Sequence, residues 1–173
     1  TPQTIRRDLN ELCELGVLQR YHGGAMFAAG VANVGYESRR HISTDAKRLI
    51  GEHTARMIPS NCSLFISIGT TTEAVARELL GHRSVMAVTN NMNVARTLVG
   101  NPDCQVIVAG GVLRRSDGGL VGPMTVGTIE QFKFDYAVIG CSALDEDGDL
   151  LDFDFEEVVA SQAIVRQARR TFL

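Results

Sequence analysis

Ser63-Leu64-Phe65-Ile66-Ser67-Ile68-Gly69-Thr70-Thr71-Thr72 decides the fold. Ser63 to Ser67 is a short apolar run of strand formers. A glycine and three hydroxyl residues follow, and the pattern then predicts a helix from Thr72 to Leu80. A strand entering a glycine-marked polar loop and then a helix is the repeating unit of parallel sheets. The same unit recurs downstream. Strands are expected at 84–88, 105–108 and 136–139, and helices at 92–99, 124–131 and 156–169. Upstream, Ser43 or Thr44 caps a helix running to about Met57, with Ile50, Thr54 and Ile58 on one side. Pro59-Ser60-Asn61 is a turn, and Arg170-Thr171-Phe172-Leu173 reads as a strand beginning. Short apolar strands alternating with helices predict an α/β fold whose parallel sheet is covered on both faces.

That arrangement gathers the polar loops. Each glycine-rich or polar motif directly follows a strand, so all should emerge at one sheet edge, where open α/β sheets bind ligands. Gly69, Thr70, Thr71 and Thr72 suit a phosphate: glycine admits close backbone approach, and helix amides and hydroxyls donate. The plain alternative is a turn with a threonine cap. The segment lacks the Gly-Lys-Ser/Thr of a P-loop, which argues against a nucleoside triphosphatase. Asn90 and Asn91 are candidates for ligand hydroxyls or for capping the next helix. Gly110, Gly111, Gly140 and Ser142 line the same edge. An arginine after Gly111, Arg114 or Arg115, offers planar donors to phosphate. Asp117 and Gly118 read as a flexible loop that closes over a ligand, or as a surface turn. Asp145-Glu146-Asp147-Gly148-Asp149 fails the calcium-loop spacing and reads as a hairpin turn through Asp147-Gly148. Asp152 is the better candidate for a ligand hydroxyl.

The first residues carry a different signal. Thr1 as cap and Pro2 at the first turn open a helix. Ile5, Leu9, Leu12 and Leu15 form its apolar stripe. Gln3, Thr4, Arg6, Arg7 and Asn10 lie off the stripe, and these residue types reach phosphates and base edges from a major-groove helix. A solvated polar face is the bland reading. Gly16 is a C-cap, residues 17–21 a strand, His22-Gly23-Gly24-Ala25 a turn, and Met26-Phe27 a brief return. A polar-faced helix followed by a small hairpin forms the second half of a winged helix-turn-helix, whose wing carries Arg20 and His22.

Composition sets bounds. The 173 residues suffice for one domain and part of another, and 45% apolar content with few aromatics is ordinary for α/β proteins. No apolar run approaches the roughly 20 residues of a membrane helix. The net charge of −3 makes no general case for nucleic acid, so any basic footprint is local. Cys13, Cys62, Cys104 and Cys141 stand apart and are expected as free thiols in a reducing cytoplasm; the four histidines are equally scattered, so no metal site is expected.

These motifs together resemble the DeoR family of bacterial transcription regulators. The likeness runs through residues 2–10, Gly16, His22-Gly23-Gly24-Ala25, Ile68-Gly69-Thr70-Thr71, Thr89-Asn90-Asn91, Ala109-Gly110-Gly111, Arg114, Asp117-Gly118-Gly119, Gly140-Cys141-Ser142-Ala143 and the helix after Asp154. It covers essentially the whole chain. The resemblance implies a DNA-binding repressor. Residues 1–29 would be the C-terminal part of its reader, 30–42 a linker, and 43–173 a parallel-sheet sensor of the ribose-5-phosphate isomerase and CoA-transferase-like type. It selects Arg114 over Arg115. It also implies operator DNA, a phosphorylated effector (glycerol-3-phosphate foremost) and a dimer or tetramer, with no cofactor, in the cytoplasm. The rival is an isomerase-like enzyme. Ser67 stands where the family often has Asp, Ser161 where relatives often have Lys, and Lys47 and Lys133 lie off the ligand loops, which argues for binding without catalysis. Both ends look cut: a recognition helix needs partner helices, none precede Thr1, and the family pattern continues past Leu173.

Overall fold

Pro2 begins the first helix, α1 (Pro2–Glu14), as its fixed backbone angle favours. The computed structural model describes residues 2–15, 18–21, 24–27 and 34–173. Thr1, Gly16 and the His22-Gly23 tip, for which caps, a turn and a wing contact are expected, lie outside the described residues. The chain divides into two compact units, Thr1–Ile42 and Ser43–Leu173.

In the first unit no residue of α1 is buried, and its stripe residue Ile5 is 60% exposed. An antiparallel hairpin follows, β1 (Leu18–Tyr21) with β2 (Gly24–Phe27), in a register that sets Arg20 opposite Ala25. The stretch read as linker contains a short helix, α2 (Tyr36–His41). There Arg40 lies 5.9 Å from the centre of the Tyr36 ring and pairs with Glu37 at 3.2 Å.

The second unit is the sheet. Its elements are α3 (Thr44–Met57), β3 (Ser63–Ile66), α4 (Thr70–Glu78) with a 3-10 turn at Leu79–Gly81, β4 (Val85–Thr89), α5 (Met92–Leu98) and β5 (Cys104–Val108). Then come β6 (Val112–Leu113), β7 (Leu120–Val121), α6 (Pro123–Glu130), β8 (Phe134–Val138), β9 (Ala143–Leu144), β10 (Leu150–Leu151), α7 (Phe155–Gln167) and β11 (Ala168–Phe172). Five strands pair in the order β11-β8-β3-β4-β5, every neighbouring pair parallel.

Strand side chains alternate between two cores, as a period of two requires. Leu64, Ile66, Ala87 and Val138 point to one face and pack with α3, α4 and α5 through Ala55, Ile58, Val75, Leu79, Val94 and Leu98. Phe65, Val88 and Ala137 point to the other and pack with α6 and α7 through Ile129, Ala160, Ala163 and Ile164. The sheet is therefore covered on both sides, and its strands are continuous apolar runs for that reason.

α3 departs from the expected face. Ile50 is 47% exposed, whereas Gly51, Thr54, Ala55 and Ile58 are buried. A Cβ on Gly51 would lie 2.9 Å from the Ala74 carbonyl oxygen, so the helices meet backbone to backbone where no side chain fits. Ser43 precedes α3 in a left-handed conformation (φ 52°) and makes no side-chain cap bond, so the expected hydroxyl cap is absent. All four cysteines are free. Among the described residues no helix is long and apolar enough to cross a membrane.

Candidate functional site

Because the five strands are parallel, the loops after β3, β4, β5 and β8 leave the same carboxyl edge. From β3 the chain proceeds outward to β4 and β5, then returns to the opposite flank as β8 and β11. The order thus reverses between β3 and β8, and a crevice opens at such a point. The loops flanking it touch: a Cβ on Gly140 would lie 3.9 Å from the Ile68 carbonyl oxygen.

The loop after β3 ends in the amino terminus of α4. Gly69 has φ 145°, a conformation that strains any residue with a Cβ. The Thr72 hydroxyl sits 2.7 Å from the carbonyl oxygens of both Ser67 and Gly69, so it faces inward and braces the loop. Thr70 is buried and Thr71 half-buried. No side chain caps α4. Its first-turn amides at Thr70, Thr71 and Thr72 have no carbonyl one turn earlier, and they form the positive end of the helix. The neighbouring helices differ. Asn91 Oδ1 accepts from the Asn93 and Val94 amides and caps α5, and the Asp154 carboxylate accepts from the Glu156 amide and caps α7.

Asn91 takes the capping role among the two foreseen for it. It is fully buried, and its amide nitrogen reaches Glu73 Oε1 at 3.4 Å. Asn93 donates to the same Glu73 oxygen at 3.0 Å and to the Asp117 carbonyl at 3.0 Å. Asn90 donates to the Leu120 carbonyl at 3.2 Å, while its own Oδ1 is buried without a partner. Glu73 and Asn93 did not stand out in the sequence; one is a helix-interior acid, the other an ordinary polar residue.

Gly110 and Gly111 pack rather than cradle. A Cβ on Gly111 (φ 140°) would fall 2.1 Å from Thr125 Oγ1, which itself donates to the Gly110 carbonyl at 2.5 Å. These glycines let the chain turn against α6 and enter the β6–β7 hairpin. That hairpin folds back over the edge: Gly119 bridges to Asn91, and a Cβ on Gly119 would lie 2.6 Å from Ile68 Cδ1. Asp117 and Gly118 are tied down, Asp117 by the Gly119 amide and Arg114, Gly118 by the Met92 and Arg114 backbones.

Arg114, expected to offer its guanidinium to phosphate, is held by carboxylates. Its Nε and Nη2 donate to Asp117 at 3.0 and 2.5 Å, Nη1 donates to Asp154 at 2.7 Å, and Nη2 also meets Glu157. Three carboxylates surround one cation, and they come from the hairpin and from the start of α7. Burial pushes the Arg114 guanidinium down, but its bonds to Asp117 and Glu157 outweigh that and hold it above its ordinary value. Burial pushes the Glu157 carboxyl above the usual carboxylate range; Arg114 opposes the shift, and Asp152 and Asp117 add to it. Asp154 and Glu157 lie 40 and 43 residues from Arg114, so no local spacing announced them.

Beyond Gly140, Asp152 Oδ1 accepts from both the amide and the hydroxyl of Ser142, at 3.1 and 2.6 Å, so two expected site residues are brought together. Cys141 beside them is exposed, and burial of its thiol followed by the charge of Asp152 raises its pKa. The acidic run at 145–149 closes the β9–β10 hairpin: Asp145 accepts from the Asp147 and Asp149 amides, and Gly148 has φ 90°. The turn reading of that run therefore holds.

In the first unit, Gln3, Thr4, Arg6, Arg7, Asn10 and Arg20 are all exposed. Arg7 is 3.7 Å from Asp8, and His22 lies outside the described residues.

A helix-plus-hairpin unit followed by a doubly covered parallel sheet with a polar crevice defines a class. The chain belongs to the DeoR family of transcription regulators: residues 1–30 match the DeoR-like helix-turn-helix domain, and residues 42–173 the DeoR C-terminal sensor domain. It is similar to the glycerol-3-phosphate regulon repressor of Escherichia coli (strain K12), 46% identical over 173 residues, 100% of this chain and 69% of that protein. The repressor of the same name from Haemophilus influenzae (strain ATCC 51907 / DSM 11121 / KW20 / Rd) is 47% identical over 173 residues, 100% of this chain and 68% of its own. The sheet unit shares its fold with a D-ribose-5-phosphate isomerase solved in complex with phospho-erythronic acid (TM-score 0.53, 12% identity, 74% of this chain, 50% of that one). With such relatives the chain is a DeoR-type regulator, and the isomerase reading loses to it.

Proposed function

We propose that the sensor unit binds glycerol-3-phosphate, or a close phosphorylated metabolite, as the inducer of a cytoplasmic repressor. The observation that carries this reading is the amino terminus of α4. It is an uncapped helix start behind a positive-φ glycine, beside the point where the strand order reverses. Amides of Thr70, Thr71 and Thr72 hold the phosphate, and the helix dipole adds to their attraction. Gly140, Ser142 and Asp152 face the hydroxyl end of the effector, since their loop adjoins Ile68. Arg114 acts indirectly, by pinning the hairpin that bears Asp117 and Gly118 against α7. The name of the two regulon repressors supports glycerol-3-phosphate over other esters.

The reader helix α1 presents Gln3, Thr4, Arg6, Arg7 and Asn10 to the major groove of an operator, and the wing adds Arg20 and His22. Two readers must be spaced by a helical turn of DNA or a multiple, so the protein works as a homodimer or tetramer. Effector binding changes their spacing; a coupling of about 1–3 kcal/mol is typical of such linkage.

Calorimetry with glycerol-3-phosphate against glycerol tests the sensor. Binding of the ester alone is expected, and equal affinity for both overturns the phosphate assignment. Operator binding by the full-length Arg6→Ala/Arg7→Ala variant tests the reader. Its salt slope should fall by about two per bound reader, so by about four for the two readers on an operator, in line with roughly 0.9 counterions per lost phosphate contact. An unchanged slope means that the arginines do not touch the backbone.

A further inference from the structure

The Arg114 cluster joins the same edge as the α4 amides. Asp117 Oδ1 holds the Gly119 amide at 3.0 Å, and Gly119 packs on Ile68, the residue before the Gly69 turn. The hairpin carboxylate and the proposed anion seat are thus one side chain apart. Asp117 and Glu157 are mostly buried, with side chains 3% and 22% exposed. One guanidinium serves Asp117, Asp154 and Glu157, which leaves the group with two negative charges in excess. The charged groups that act on Glu157 are Arg114 and Asp117 from the hairpin and Asp152 from the segment before α7, with Asp154 on the far arm of the guanidinium.

A phosphate ester arriving at α4 brings about two more negative charges at neutral pH. Helix amides favour it, but the carboxylate surplus opposes it through partly buried protein, where solvent screens poorly. The strain falls most easily on one carboxyl that can take a proton. Asp117 accepts two bonds from Arg114 and one from Gly119, and Asp154 caps α7, so both are committed as anions. Among the described residues Glu157 hydrogen-bonds to Arg114 alone, and a protonated carboxyl still offers that contact an acceptor oxygen. Its carboxyl also already lies above the ordinary range through burial.

We propose that binding of a phosphorylated effector at the amino terminus of α4 is coupled to uptake of a proton by Glu157. The inference rests on the phosphate reading of that helix start. It makes the sensor respond to pH as well as to metabolite: affinity for the ester weakens as pH rises above neutrality. The phosphate's own second ionisation, near pH 6, acts in the opposite sense, so Glu157 is isolated above pH 7, where the free ester is already dianionic.

Isothermal titration calorimetry of the full-length protein with glycerol-3-phosphate, in two phosphate-free buffers of different ionisation enthalpy at pH 7.5, counts the proton. Wild type is expected to show net proton uptake on binding the ester, visible as a dependence of the heat on buffer ionisation enthalpy. Glu157→Gln should take up none and bind about tenfold more tightly at pH 8, the scale of one nearby charge in partly buried surroundings. Its affinity should stay level between pH 7.5 and 9, where that of wild type falls. Glu156→Gln, which removes the adjacent exposed charge, should keep the wild-type proton count. Ester binding with no proton uptake by wild type overturns the coupling and leaves the anion seat standing, and so does equal uptake by Glu157→Gln. Failure of both glycerol-3-phosphate and inorganic phosphate to bind overturns the anion seat and the coupling with it. If Glu157→Gln does not fold, the wild-type proton count decides alone.

Discussion

Replacing Arg114 with methionine removes one cation and keeps most of its stem. Asp117, Asp154 and Glu157 then face one another with no counter-charge between them. Four charge-assisted donor contacts disappear. Breaking a buried ion pair from one side costs about 3–5 kcal/mol. Arg114 is 24% exposed and Asp154 35%, so water offsets part of that loss; we expect about 3 kcal/mol at pH 7.5, the low end of the fully buried range. For a unit of this size the melting temperature should drop by about 10 °C. The deficit must also depend on pH with a fixed sign. Burial already raises the Glu157 carboxyl above its unfolded value, and loss of Arg114 raises it further. A carboxyl raised in the folded state contributes stability that is fully present below its unfolded pKa and lost as pH rises through the folded one. The variant should therefore trail wild type most at neutral pH and recover toward pH 5. Melts followed by circular dichroism at pH 7.5 and pH 5 measure both quantities. A deficit under about 0.5 kcal/mol, ordinary for a surface change, would refute the account of Arg114 as the hairpin's clasp, as would a deficit that grows on acidification.

Three further outcomes are expected. Phe65→Ala should cost about 3–5 kcal/mol in urea denaturation, because its ring is wholly buried and edges against Phe134 at 5.3 Å; a loss below about 1 kcal/mol contradicts the second core. Asn91→Ala should cost about 0.5–2 kcal/mol through the lost cap of α5, with more added by the released Glu73 contact, and thermal melts will show it. Gly69→Ala should cost about 1–3 kcal/mol in backbone strain, since φ is 145° there, and it should abolish the proposed ester binding in calorimetry; unchanged affinity removes Gly69 from the anion seat.

The sequence made the sheet legible because each strand is a short apolar run between turn residues. β3, β4, β5 and β8 lie within a residue or two of where their patterns put them, and β11, expected from Arg170, begins two residues earlier at Ala168. The edge shared by the loops follows from that alternation alone. The β6–β7 hairpin stayed hidden and β9–β10 showed only its Asp147-Gly148 turn, since these strands are two residues each and carry no period. Gly51 was missed for the opposite reason: a hydrophobic pattern draws attention to Ile50, while the contact with α4 requires the absence of a side chain. Arg114 was recognisable as important, yet its partners Asp154 and Glu157 were not, because charge pairs across 40 residues leave no spacing to read. Asn91 could be read both as ligand and as cap, and only its burial distinguishes the two.

One-way strands give the sensor a working end and a plain one. Turns at the plain end, around Asn61, Arg83 and Asp103, are closed by bonds of their own: Asn61 to the Arg83 carbonyl, Arg83 to the Ser60 hydroxyl, Val85 to the Asp103 carbonyl. None of them bears a residue assigned to effector or DNA. A dye or immobilising tag fixed to exposed Asp103 would therefore leave the residues proposed for effector and DNA untouched.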